Sequence, residues 1–327
     1  MMVKRKKILV YSTPDCSDNM HANGEFAAQI INKYTDYAFA FRDAAAVTQQ
    51  ELCSANVVAG HPNPQWLKGA KELEWLHVQT AGVEAYADAS LYANKNVIVT
   101  RTAHAFDTPV AEHVVAMLLS LLRLIPQNVR QGAACFLKRE HPIRELTGAR
   151  VLVLGAGALG TAVARCLRGF STSIWGVCRH PEKLRDGFEK MLAPGELSQG
   201  LSWADVVINV LPLTKETERL VDDAAFSRMK EGAVFINAGR GRSVDTDALV
   251  KALRSGKLSA AGLDVTEPEP LPPDHVLWRM ENVLITPHTA GFSLCASQRQ
   301  FRCFVELLDI YLQGGEMPDQ VDLRAGY

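Results

Sequence analysis

The sequence predicts an α/β protein of two parallel-sheet domains, one inserted into the other. Three observations carry that prediction. A glycine fingerprint, Gly155-Ala156-Gly157-Ala158-Leu159-Gly160, follows an apolar run at 151–154 and opens a helical pattern through Ala162, Val163, Ala164 and Leu167. Strand-like runs alternate with helical ones on both sides of it, the pattern of parallel sheets. The chain has 327 residues, more than a single hydrophobic core of roughly 250 residues usually spans.

In chain order, residues 8–11 read as a first strand, with Phe26, Ile30 and Ile31 marking a helix behind it. Residues 56–59 form the next strand and lead into the loop His61-Pro-Asn-Pro64. Strand 75–78 runs into Gln79-Thr-Ala-Gly-Val83, and 97–100 follows. This first part, to about residue 103, has no fingerprint. A long helix runs from Asp107 to about Ile125, where Pro126 stops or kinks it. Leu146-Thr-Gly148 introduces the fingerprint strand. Five more runs, at 173–177, 206–210, 234–237, 260–263 and 283–286, make six strands. Among the helices between them, Asp245 serves as N-cap, Leu249 and Leu253 share a face, and Gly256 lies past the end. A last helical pattern covers 301–312. The expected boundaries are a first domain at 1–103, a cofactor domain at 104–290, and a helix at 291–327 returning to the first domain.

Each fingerprint glycine has a task. Gly155 permits the tight turn, Gly157 lets a pyrophosphate approach the backbone, and Gly160 lets helix and strand pack closely. The helix start offers free N–H groups and the positive end of its dipole to phosphate. The active site is therefore expected in the cleft between the domains, at the carboxyl ends of the cofactor-domain strands.

Composition narrows the class. Apolar residues make up 47% and charged residues 22%, ordinary for a soluble globular enzyme. The net charge of -1 offers nothing to nucleic acid, and Lys4-Arg5-Lys6-Lys7 reads as a solvated terminus. The seven cysteines (16, 53, 135, 166, 178, 295 and 303) include no C-x-x-C pair, so reduced thiols in the cytoplasm and no metal site are expected. The apolar core after the basic run is too short for a secretory leader. The helix from Val110 to Ile125 carries Glu112, His113 and Arg123, so it reads as buried, with no membrane span.

Three ionisable residues follow strands of the fingerprinted domain. Arg240 stands in Asn-Ala-Gly-Arg-Gly241, Glu269 in Glu-Pro-Glu-Pro-Leu-Pro272, and His288 in Thr-Pro-His-Thr-Ala-Gly291. A guanidinium binds a carboxylate or 2-oxo acid in a fork. An imidazolium can protonate a ketone oxygen as hydride reaches its carbon. A neighbouring carboxylate favours the charged ring and holds its tautomer. Singly, each residue has a structural reading: a strand-end cap, a surface loop, a satisfied histidine. Together, after strands of one such domain, they read as a site.

The chain resembles the D-isomer-specific 2-hydroxyacid dehydrogenases over nearly its whole length. The motifs are Val-Leu-Gly-Ala-Gly-Ala-Leu-Gly160, Leu-Pro-Leu-Thr214, Ile-Asn-Ala-Gly-Arg-Gly241, Ala-Gly-Leu-Asp-Val265, Glu-Pro-Leu-Pro272, Thr-Pro-His288 and Ala-Glu-His-Val114. The resemblance implies a Rossmann cofactor domain inserted into a flavodoxin-like substrate domain, and a homodimer. It implies that Arg240 orients the substrate, that His288 is the acid/base, and that Glu269 is its partner. Backbone amides at Ala81, Gly82 and Val83 are implied to hold the substrate carboxylate. Candidate cofactor contacts are Gly155, Gly157, Ala158, Leu159 and Gly160, then Leu211, Pro212 and Thr217, then Ala238, Gly239 and Ala290. Asp264 is expected near the nicotinamide carboxamide, with a cap for the following loop as its alternative. His113 reads as helix packing, and His61, Trp66 and His104 as pocket edges.

An NAD enzyme usually ends its second strand with an acid that bonds the ribose 2′-OH. Here Cys178, Arg179 and His180 stand there, so nothing repels a 2′-phosphate and a guanidinium is at hand. NADP(H) is expected over NAD(H), with Arg179 as a plain surface charge the alternative. The tail Val-Asp-Leu-Arg-Ala-Gly-Tyr327 and the loop Gly60-His-Pro-Asn-Pro64 resemble those of the bacterial glyoxylate/hydroxypyruvate reductase A branch. Reduction of glyoxylate or hydroxypyruvate to the D-2-hydroxy acid is the first reading. A bulkier 2-oxo acid such as phenylpyruvate is the second, and a non-catalytic NAD(H)-responsive binding protein the third. Formate dehydrogenase is disfavoured because that branch has glutamine at the place of Glu269. An L-specific dehydrogenase is disfavoured because that class opens with its fingerprint.

Overall fold

The structure is a computed structural model that describes residues 5–12, 25–102, 104–132, 143–318 and 320–324. Cys16, Cys135, Lys4, Ala103 and the last three residues of the tail lie outside the described residues, as does the side chain of Phe26. The chain divides into two compact units. Unit 1 is Met1–Phe106 with Ser293–Tyr327, and unit 2 is Asp107–Phe292.

Unit 1 holds β1 (Lys7–Ser12), α1 (Glu25–Lys33), β2 (Ala38–Asp43), α2 (Gln49–Cys53), β3 (Val57–Ala59), β4 (Trp75–Val78), β5 (Ile98–Arg101) and α9 (Ala296–Leu312). Its sheet is fully parallel in the order β2-β1-β3-β4-β5. The strand β2, Ala-Phe-Ala-Phe-Arg-Asp, is absent from the sequence reading. It lies on the edge and buries only Phe41, so its apolar signal is half of an interior strand's. The last helix begins five residues before the expected 301. It covers one sheet face with Phe301, Phe304, Leu307 and Leu308, which cluster with Ile8, Val10, Val57 and Trp75. Phe304 stacks on Trp75 with centroids 5.7 Å apart. Burying a side chain of that size contributes about 2–3 kcal/mol.

Unit 2 begins with α3 (Asp107–Leu122) and α4 (Ile125–Gln131). Pro126 does not end the long helix as expected. The helix ends at Leu122, Leu124 takes a left-handed φ of 56°, and Pro126 lies in the first turn of α4. A missing N–H costs nothing in a first turn. By length and apolarity residues 104–122 could cross a membrane. Here that apolarity is used inside unit 2, where Ala111, Val114 and Leu118 are buried and α3 packs on α5 (Ala158–Arg168).

The sheet of unit 2 comprises β6 (Arg150–Leu154), β7 (Ser173–Val177), β8 (Lys190–Leu192), β9 (Val206–Asn209), β10 (Ala233–Asn237), β11 (Leu258–Leu263) and β12 (Val283–Ile285). All seven are parallel in the order β12-β11-β10-β9-β6-β7-β8. The expected six become seven because β8, a three-residue edge strand, escapes the pattern. The direction reverses between β6 and β9, so their carboxyl ends frame the crevice of a doubly wound sheet. Helix α6 (Leu197–Trp203) and helix α7 (Asp223–Arg228) join its strands, as does α8 (Thr246–Arg254). In α8, Asp245 Oδ1 accepts from Ala248 N–H at 3.1 Å, and Leu249 and Leu253 are buried.

One buried polar chain in unit 1 ties β4 to β5. Trp75 Nε1–H donates to Thr100 Oγ1 at 2.8 Å, and His77 lies 2.9 Å from Thr100 Oγ1 through Nδ1 and 3.0 Å from Thr102 Oγ1 through Nε2. Thr102 donates to the Val78 carbonyl. A neutral ring with its proton on Nε2 satisfies every member, accepting from Thr100 and donating to Thr102. Burial, with His61 nearby, pushes His77 down to about 3. A histidine depressed in the fold contributes stability above its unfolded value, and that stability is lost as pH falls from about 6.5 toward 3. The urea midpoint, followed by tryptophan fluorescence, is expected to fall across that window. In His77→Asn the slope of stability against pH should be shallower by up to about 1.4 kcal/mol per pH unit. An equal slope in both proteins would count against a neutral His77.

Candidate active site

The fingerprint sits where β6 gives way to α5. Gly155 has a φ of 99° and lies against the end of β9, where a Cβ would stand 3.0 Å from the Val210 carbonyl oxygen. At Gly160 a Cβ would stand 2.2 Å from the Gly155 carbonyl oxygen, so only glycine lets α5 approach β6 this closely. Gly157 faces open space. The N–H groups of Ala158, Leu159 and Gly160 open α5 and have no carbonyl within the helix to bond. A bare backbone cradle at a helix N-terminus fits the pyrophosphate of a dinucleotide.

Gly155 and Ala156 both donate to the Val177 carbonyl at 3.1 Å, which ties the turn to β7. Arg185 donates to the Ala156 carbonyl. The sequence reading missed this residue, because only a contact through space brings it to the fingerprint. Cys178 follows β7 and donates its N–H to the Leu192 carbonyl, while Arg179 and His180 are exposed. The Glu216 carboxyl is held below its usual range, chiefly by the Thr214 hydroxyl, with the charge of Arg179 contributing. At the end of β9, Leu211 donates to Asn209 Oδ1 at 3.3 Å, and Thr217 donates to the Pro212 carbonyl at 2.6 Å.

Arg240 leaves β10 through Ala238 and Gly239. Its carbonyl accepts from Asn237 Nδ2 at 3.2 Å and from Ser243 Oγ at 2.6 Å. Buried Asn209 completes the brace by donating to Asn237 Oδ1 at 2.9 Å and Ser243 Oγ at 2.7 Å. The half-buried Arg240 guanidinium donates to the Gly239 carbonyl at 2.9 Å. A Cβ on Gly241 would stand 1.8 Å from the Thr266 oxygen. Arg240 is thereby held beside the loop that carries Glu269.

Glu269 Oε1 accepts from His288 Nδ1 at 2.5 Å. The carboxylate can only accept, so Nδ1 carries the proton. Nε2 has no partner among the described residues. The two side chains are 52% and 40% exposed, so the pair is open to a substrate. His288 has a φ of 54°, which Asp264 helps to enforce. Asp264 is 3% exposed, and its carboxylate accepts from the Thr286 hydroxyl at 2.6 Å, Thr289 N–H at 3.0 Å and Ala290 N–H at 3.1 Å. Its carbonyl accepts from His288 N–H at 2.9 Å. These are the bonds of a loop cap, and they engage the Ala290 amide as well. His113, read from the sequence as helix packing, also makes a polar contact: its Nε2 lies 2.9 Å from Thr286 Oγ1.

Ala81, Gly82 and Val83 belong to unit 1, in the loop after β4. His61 Nε2 contacts Thr80 Oγ1 at 3.2 Å, and Thr80 donates to the Gly82 carbonyl at 2.8 Å. Among the described residues, the N–H groups of Ala81, Gly82 and Val83 have no partner. Adjacent free amides of this kind suit a carboxylate. Trp66 packs against the core of unit 1, and His104 opens a short turn. No group of histidine, cysteine or acidic side chains suited to a metal occurs among the described residues.

A family model described as D-isomer specific 2-hydroxyacid dehydrogenase, NAD binding domain, matches residues 115–290. The chain is 34% identical to glyoxylate/hydroxypyruvate reductase B of Citrobacter koseri, over 95% of this chain and 96% of that one. It is similar to NADPH-dependent glyoxylate/hydroxypyruvate reductase of Sinorhizobium meliloti, solved with NADP and sulfate (25% identity, TM-score 0.82, 98% of this chain and 100% of that one). It is also similar to D-lactate dehydrogenase of Aquifex aeolicus, solved with NAD and lactic acid (25% identity, TM-score 0.73, 97% of each chain).

Gly160→Ala forces a methyl group onto a backbone oxygen that has no room to yield. It is expected to cost about 1–3 kcal/mol in urea unfolding and to weaken dinucleotide binding at least tenfold in titration. An unchanged dissociation constant would refute the assigned cradle.

Proposed function

The chain belongs to the D-isomer specific 2-hydroxyacid dehydrogenase family and is an oxidoreductase, and on that footing we propose that it reduces a small 2-oxo acid of the glyoxylate or hydroxypyruvate type with NADPH. The observation that carries the reading is the Glu269–His288 bond, which leaves Nε2 available beside the loop that bears Arg240.

When bound, the dinucleotide supplies the hydride. Gly155–Gly160 holds its pyrophosphate through α5. Arg240 binds the substrate and orients its carbonyl. His288 gives its Nε2 proton to the carbonyl oxygen as hydride reaches the carbon. Glu269 stabilises the positive charge of the ring before transfer and keeps its plane fixed. The product is the D-2-hydroxy acid.

Two features favour NADPH. No carboxylate closes β7, where Cys178, Arg179 and His180 stand, and Arg185 adds a guanidinium beside the fingerprint. The solved relatives hold NADP in one case and NAD in another, so assay decides. The substrate rests on the reductase relatives and on the tail and Gly60–Pro64 loop. A cytoplasmic homodimer completes the reading. Ile125 and Val129, 49% and 74% exposed on α4, are apolar surface a second copy would cover.

Loss of reduced-nicotinamide absorbance with glyoxylate, hydroxypyruvate, pyruvate and phenylpyruvate tests substrate and cofactor together. NADPH should exceed NADH in kcat/KM with the smaller acids; parity or reversal defeats the cofactor assignment. Dinucleotide binding without turnover of any acid defeats the substrate assignment. His288→Asn, which tolerates the left-handed backbone, should lower kcat roughly 10²–10⁴-fold with dinucleotide affinity unchanged. Retained kcat would remove His288 as proton donor. Sedimentation at the mass of one chain would remove the dimer.

A further inference from the structure

We propose that His113 is a positioning residue for the reaction, acting on the loop that carries His288 through Thr286 and Asp264. The inference rests on the role assigned to His288 above and adds a residue to it.

The loop 286–290 holds a non-glycine residue in a left-handed conformation, at φ 54°. Such a conformation persists only where surrounding bonds over-determine it. Three of those bonds end on one carboxylate, Asp264, from Thr286 Oγ1, Thr289 N and Ala290 N. The direction of each is settled by the donors available. The Thr286 hydroxyl has a single hydrogen, and at 2.6 Å from Asp264 Oδ1 it is spent on the carboxylate. Thr286 Oγ1 therefore accepts from His113 Nε2–H, 2.9 Å away. The same nitrogen lies 3.6 Å from Asp264 Oδ1, so its N–H dipole faces the carboxylate as well.

The order of donation is His113 to Thr286 to Asp264. Chains of this kind polarise one another, and this one starts on a rigid element. His113 lies within α3, whose neighbours Ala111 and Val114 are fully buried. A helix in the core of unit 2 thus fixes the rotamer of Thr286, two residues before His288. Without that donor, Thr286 can rotate, one of the carboxylate's donors is lost, and the left-handed turn loosens. His113 touches neither proposed substrate nor cofactor.

The test compares His113→Leu, which deletes the donor, with His113→Gln, whose amide N–H can take the place of Nε2–H. The first readout is hydrogen exchange of the amides of Thr286, His288, Thr289 and Ala290 by mass spectrometry, in protein without ligands. His113→Leu should exchange these amides at least tenfold faster while the amides of β6 stay at the wild-type rate, and His113→Gln should restore protection. The second readout is steady-state kinetics. The kcat of His113→Leu should fall about tenfold with dinucleotide KM changed less than threefold, and His113→Gln should recover most of it. Unchanged protection or unchanged kcat in His113→Leu overturns the proposal, and so does a glutamine variant as impaired as the leucine one. Faster exchange everywhere, β6 included, also overturns it, by showing a general loss of stability. If the wild type reduces none of the acids tested, the assigned reaction fails, and the exchange comparison alone decides whether His113 anchors the loop.

Discussion

A buried carboxylate must find donors, and much of the candidate site follows from how Asp264 finds them. At 3% exposure its charge cannot be left to water. The donors come from one short segment after β12, and the shape needed to deliver them places His288 in the left-handed region. The ring then meets Glu269, which comes from the loop after β11, the strand that Asp264 follows. A requirement for charge compensation thus becomes a requirement on the direction of an imidazole.

The parallel sheet explains why so few residues suffice. Every strand of unit 2 runs the same way, so each carboxyl end opens on one edge. The fingerprint turn, Leu211, Arg240, Glu269 and His288 come from five different connections, yet they meet because those connections emerge side by side. Close backbone approach does the rest. Gly155 lies on the end of β9 and Gly241 on Thr266, and any side chain at either position would force the loops apart. The polar brace of Asn209, Asn237 and Ser243 holds the Arg240 backbone from beneath.

What could be read in the sequence was what is local. Glycine spacing is local, so the turn between β6 and α5 is visible in one line of residues. The alternation of buried strands and helices is also local, and it carried the fold. Edge strands were harder: β2 buries a single phenylalanine and β8 spans three residues, so neither leaves a run of apolar positions. Pro126 misled because proline opens a helix as readily as it closes one. Residue types at strand ends marked Arg240, Glu269 and His288 for attention. The pairing of His113 with Thr286 bridges 173 positions and has no periodic signature. Arg185 at the Ala156 carbonyl is hidden for the same reason.

The divided composition of unit 1 sets a timetable for synthesis. Helix α9 supplies Phe301, Phe304, Leu307 and Leu308 to the face of the sheet that carries Ile8, Val10 and Trp75. Those strands leave the ribosome first, and α9 leaves only after the whole of unit 2. At roughly 5–20 residues per second, the first sheet waits some tens of seconds with that apolar face covered only in part, by Ala27 and Ile30 of α1. Unit 2 is contiguous and can close during the interval. The nascent chain therefore passes through a stage with one finished domain and one sheet that still lacks its last covering helix, and chaperones that shield apolar surface would act at that stage.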